Sequence, residues 1–104
     1  MEGRFWRDAS GRLTFDTSSV QAEDYPAVCR SVADAFGLTS AAPLVVGPEQ
    51  MFWEFQLGEQ AVGLDWDIWM GFMIVARAGG AEPLVRGIAA WLSSSQWAGG
   101  SKTA

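Results

Sequence analysis

Histidine is absent from this chain and cysteine occurs once, as Cys29. Without histidine, Ser-His-Asp and Cys-His arrangements are excluded, and so are zinc sites of the usual Cys/His composition. The side chain that most simply moves protons near neutral pH is missing as well. A lone cysteine cannot close an internal disulfide. Cys29 also falls inside a helical pattern with no base beside it, where it reads as a packed, inert thiol. Lysine is equally scarce: Lys102 is the only one, and seven Lys and Arg against twelve Asp and Glu give a formal charge of −5. A surface of that sign repels phosphate backbones and anionic headgroups, so neither nucleic acid nor a membrane is expected as a partner. No apolar run approaches the roughly 20 residues that span a bilayer. Met1 to Arg12 lacks the apolar stretch followed by small residues that marks a signal peptide, so cytoplasmic residence is expected. Gly79-Gly80 and Gly99-Gly100 stand outside any phosphate-cradling pattern, and no cofactor is expected.

What is present is enough apolar material for one core. Hydrophobic residues make up 49% of the 104 and charged residues 18%, a balance that allows burial to offset the entropy of ordering the backbone. A single domain over residues 1–97 is expected, followed by a flexible tail over 98–104 of small and polar residues.

Turn signals and apolar periodicity divide that domain. Arg4 to Arg7 and Arg12 to Phe15 flank the turn-like Asp8-Ala9-Ser10-Gly11 and suggest a hairpin. A helix is expected from about Tyr25-Pro26 to Phe36, with Val28, Val32, Ala35 and Phe36 on one stripe. Pro26 suits its first turn and Gly37 its left-handed cap. Thr39 to Gln50, interrupted by Pro43 and Pro48, reads as a connector in which Leu44 to Gly47 forms at most a brief edge strand. A final helix is expected to begin near Glu82-Pro83, with Leu84, Val85, Ile88, Trp91 and Leu92 facing the core.

Met51 to Arg77 is the most structured stretch. A two-residue turn at Gly58-Glu59 sets Phe55 against Val62, Trp53 against Leu64 and Met51 against Trp66, all on one apolar face. A second turn at Trp69-Met70-Gly71 sets Trp66 against Ile74 and Leu64 against Ala76. A slip of one residue would bury Asp65 and Asp67 and expose the aromatics. The expected fold is therefore a two-layer α+β domain of order (β)β-α-β-β-β-α: an antiparallel sheet of four to five strands with both helices on one face.

The residues that could carry function lie on the opposite face. Glu54, Asp65 and Asp67 project there together, with Arg77 diagonal to Asp65. Two readings compete: a carboxylate group able to bind a divalent cation or to act as an acid-base pair, or surface charges that Arg77 partly neutralises. Phe52, Met73 and Val75 point the same way as the carboxylates. Either the connector through Leu44 to Val46 covers them, or they form a contact patch for another protein or a second copy. Trp69, with Met70 beside it, sits in a tight turn and can anchor a partner or fold back onto the sheet. Trp6, Trp53, Trp66, Trp91 and Trp97 read as packing.

Leu64 to Phe72, followed by Glu82-Pro83-Leu84-Val85, resembles segments of small bacterial α+β proteins, some encoded near toxin genes. The resemblance implies an immunity-like role. From these residues two functions are expected in order: a small acidic, non-enzymatic protein-interaction domain, immunity-like, inhibitor-like or regulatory, with Glu54, Asp65, Asp67, Trp69, Met70, Met73, Val75 and Arg77 as contact candidates; or a metal-binding or acid-base module built on Glu54, Asp65 and Asp67.

Overall fold

The computed structural model describes residues 3–94. Trp97 and the tail expected over 98–104 lie outside them. Among the described residues seven strands, β1 (Arg4–Arg7), β2 (Leu13–Thr17), β3 (Thr39–Ser40), β4 (Val45–Val46), β5 (Gln50–Leu57), β6 (Gln60–Asp67) and β7 (Gly71–Ala76), form one antiparallel sheet. The helices are α1 (Tyr25–Phe36), between β2 and β3, and α2 (Glu82–Ser93), after β7. The order across the sheet is β1-β2-β7-β6-β5-β3, with β4 pairing farther along β5 beside β3.

The class is the expected one, but the sheet is larger than four to five strands. The connector supplies the difference. Proline at 43 and 48 limits it to two rungs at a time, so it pairs with β5 twice: Thr39 and Ser40 against Gln56 and Phe55, then Val45 and Val46 against Phe52 and Met51. It extends the sheet at its edge and does not fold over Phe52, Met73 and Val75.

Each helix has a physical start. Pro26 and Pro83 stand in first turns, where a missing N–H costs no intrahelical bond, and a short 3₁₀ turn leads into each. Gly37 ends α1 at φ 68°, the left-handed cap that its lack of a Cβ permits. The buried stripe of α1 is Tyr25, Val28, Cys29 and Val32, with Phe36 packed behind it; Ala35, expected on that stripe, is exposed. The stripe of α2 is Leu84, Val85, Ile88, Ala89 and Leu92. The two helices touch where Phe36 meets Trp91 edge-on, ring centroids 6.1 Å apart.

Both helices lie against one face. Leu13, Phe15, Met51, Phe55, Val62, Leu64, Phe72, Ile74 and Ala76 join them in a single apolar cluster. The Tyr25 hydroxyl donates to the Leu64 carbonyl, and its ring packs on Phe72. Trp66 closes one end of the core, its indole N–H donating to the Val20 carbonyl at 2.9 Å. No helix among the described residues is long and apolar enough to cross a membrane.

The Gly58-Glu59 turn holds β5 and β6 in the expected register, with Phe55 opposite Val62, Trp53 opposite Leu64 and Met51 opposite Trp66. The β6–β7 register differs from expectation by two residues. Asp67 faces Gly71, Trp66 faces Phe72, Leu64 faces Ile74 and Val62 faces Ala76. The turn is Ile68-Trp69-Met70, and Gly71 belongs to β7 at φ 81°. Asp67 decides the matter: its Oδ1 accepts the backbone N–H groups of Trp69 at 2.9 Å and Met70 at 2.6 Å, which fixes the chain reversal directly after β6.

Candidate functional site

Strand pairing places two rows of side chains across the face that the helices leave open. One runs Trp6, Thr14, Val75, Gly63, Glu54 from β1 to β5. The other runs Arg4, Asp16, Met73, Asp65, Phe52, Val45 from β1 to β4. Charged and apolar groups intermingle along the second row.

At the centre lies an ion-pair network. Arg77 follows the end of β7, two residues beyond Val75, and lies back over Gly63. Its Nε and Nη2 donate to the two Glu54 oxygens at 2.9 and 2.7 Å, and Nη2 also reaches Asp65 Oδ2 at 3.0 Å. Gly63 makes room for this: a Cβ there would stand 2.0 Å from Nη2. The guanidinium therefore shields Asp65, which is only 5% exposed. Burial pushes the Asp65 carboxyl up to about 6, because desolvation outweighs the attraction of Arg77, whose charge is shared with Glu54. Hydrogen bonding to Glu54 in turn raises Arg77, fixing its positive charge.

A second polar group stands nearer β1. The Trp6 indole N–H donates to Asp16 Oδ2 at 2.7 Å, and Arg4 Nε lies 3.4 Å from the same oxygen. Thr14 and Asp16 are buried beneath this cover, as is Val75 between the two groups, although among the described residues no helix lies above them. Sequence reasoning did not single out Asp16. Its signal was available: it alternates outward from Leu13 and Phe15 and is preceded by a tryptophan and an arginine on the facing strand.

The sequence candidates therefore separate. Glu54, Asp65 and Arg77 come together, with Arg77 bridging both acids and not Asp65 alone. Asp67 does not join them; its carboxylate caps the turn. Among the described residues no group of three or more His, Cys, Asp or Glu is arranged to hold a metal ion. Cys29 is enclosed in the core, where burial pushes its thiol up to about 12 and keeps it un-ionised. Met73 is half-buried between Asp16 and Asp65.

Trp69 does not fold back. It is 68% exposed and Ile68 beside it 51%. With the half-buried Met70, Trp69 walls an open cleft of about 370 Å³ whose other side is Gly3, Arg4, Asp16, Thr17 and Ser18. Comparison with protein families, with curated proteins and with solved structures returns no match. The chemistry of the site thus rests on its own geometry. A second apolar exposure, Val45 and Phe52, borders a cleft of about 290 Å³ at the opposite side of the sheet. Between the two, the open face offers apolar anchors and partly neutralised carboxylates.

Proposed function

We propose that the protein is a small acidic, non-enzymatic interaction domain, immunity-like, inhibitor-like or regulatory in kind, that docks a protein partner on the open face of its sheet in the cytoplasm. The observation that carries this reading is the exposed Trp69 at the tip of a turn made rigid by Asp67. A large aromatic ring on a backbone anchored beside a cleft supplies the apolar anchor that hot spots use. Met70, Met73 and Val75 continue the apolar path inward. Glu54, Asp65 and Arg77 form its polar floor, with Asp67 holding the turn. The net charge of −5 favours a partner with a basic surface, whose approach it would accelerate.

The test is affinity capture by the tagged protein under native conditions, beside a Trp69→Ser variant. A protein retained by the first, lost by the second and released progressively by salt supports the reading. Equal retention by both, or no retained protein at all, overturns it.

A further inference from the structure

The two edges of the sheet are finished differently. Beyond β5, the edge is occupied by β3 and β4 and bounded by Pro43 and Pro48. Beyond β1, no strand pairs among the described residues. β1 contains no proline, no lysine and no bulge, and it carries Phe5 at 44% exposure; its protection is confined to its length of four residues and the charges of Arg4 and Arg7.

The direction of its free backbone groups follows from the hairpin. The Asp8 N–H donates to the Arg12 carbonyl at 3.1 Å, which makes that pair a hydrogen-bonded one. Antiparallel alternation then turns the N–H and C=O of Trp6 and Arg4 toward β2 and leaves those of Phe5 and Arg7 directed outward.

We infer that β1 is a self-pairing edge: two copies of this chain join β1 to β1 in antiparallel register about a twofold axis at Phe5, making one continuous sheet. In that register Phe5 exchanges both backbone bonds with its symmetry mate, and Arg7 does so with Gly3 of the other copy. The side chains suit the arrangement. Phe5 meets Phe5 on the helix face, where each ring already packs on Phe15 at 5.0 Å and under Arg86 at 5.3 Å. On the open face Arg4 comes opposite Trp6, placing a guanidinium beside an indole. No arginine opposes another. Of the charges near the axis, Arg4 is partnered by Asp16 and Arg7 by Glu82, whose oxygens Arg7 reaches at 2.6 and 3.1 Å, while Arg86 lies over the Phe5 ring. An isologous contact of this kind closes on itself and leaves no further edge of comparable length.

Sedimentation equilibrium on the full chain, from about 5 to about 500 µM, tests the inference. The expected result is a mass rising from the 11.2 kDa protomer toward twice that value. A mass of one protomer throughout overturns it. Phe5→Lys sets two ammonium groups together at the axis. Phe5→Pro removes an N–H that bonds to nothing within the protomer. Each is expected to weaken association at least about tenfold with the circular dichroism spectrum unchanged. Undiminished association of either folded variant overturns the inference, because the dimer then forms elsewhere. Should neither variant fold, Phe5→Cys with a short bismaleimide reads the same contact, the buried Cys29 being out of reach. A covalent dimer is expected, and its absence overturns the proposal.

Discussion

Beneath the sheet, two helices and a continuous set of aliphatic and aromatic side chains exclude water. Above it no helix lies among the described residues, yet Thr14, Asp16, Asp65 and Val75 are almost as inaccessible as the core. The first face is kept dry by apolar burial. The second is kept dry by two long side chains, Arg77 laid over Gly63 and held by Glu54 and Asp65, and Trp6, whose indole N–H is held by Asp16. The comparison teaches where exposed apolar surface can remain. Under either cover the bare apolar surface is left at the margins of the sheet: Phe5, Val46 and Leu57 on the helix face, Val45 and Phe52 on the open face, and Ile68 and Trp69 at the turn between β6 and β7.

The largest effect should come from opening the covered face. Leu64→Ala, at a fully buried position in the central strand, is expected to cost about 3–5 kcal/mol in denaturant unfolding. A loss under about 1 kcal/mol would mean that the core is not close-packed there. On the open face, Arg77→Met is expected to cost about 3 kcal/mol, since the buried Asp65 loses its partner. Adding Asp65→Leu should restore most of that loss. Failure to restore it would show that the network does more than neutralise Asp65.

Titration sharpens the same contrast. The Asp65 carboxyl is raised to about 6 in the folded protein, above its ordinary value, so its neutral form favours folding. That contribution is fully present below the unfolded value near 4 and fades as pH rises through about 6. Melts at pH 7.5 and pH 5 are expected to show higher stability at the lower pH, with the difference abolished in Asp65→Asn. Asp8 and Glu82, held low by their hydrogen bonds to Arg12 and Arg7, act in the opposite sense and only in more acid solution. The smallest effect is expected at the margin: Trp69→Ser should change stability by less than about 0.5 kcal/mol, since its ring packs on little. A large loss there would make Trp69 a structural residue and remove the argument for docking.

Much of this arrangement was legible in the sequence because period-two alternation sorts residues between faces. Trp53, Leu64 and Trp66 fell on one side and Glu54, Asp65 and Met73 on the other. The same periodicity is blind to a slip of two residues, which keeps every face intact. Only the Asp67 carboxylate, bonding two N–H groups of the turn, distinguishes the register with Asp67 opposite Gly71 from the alternative. β3 and β4 were hidden for a different reason: two-residue strands carry no period, and their pairing depends on the edge that β5 presents. The role of Gly63 was hidden too, since a missing side chain gives no signal until the guanidinium above it is seen. The partner of Arg77 was half visible, because diagonal reach suggested Asp65 but not the two bonds to Glu54.

Strand β6 is gripped from both directions. From one side the Tyr25 hydroxyl ties the Leu64 carbonyl to α1, and from the other Arg77 ties the neighbouring Asp65 to Glu54 on β5. Unfolding that starts from the native state must therefore begin at the rims, in β1 or in the two-residue strands beside β5. The amide hydrogens of β6 should be the slowest in the molecule to trade for deuterium.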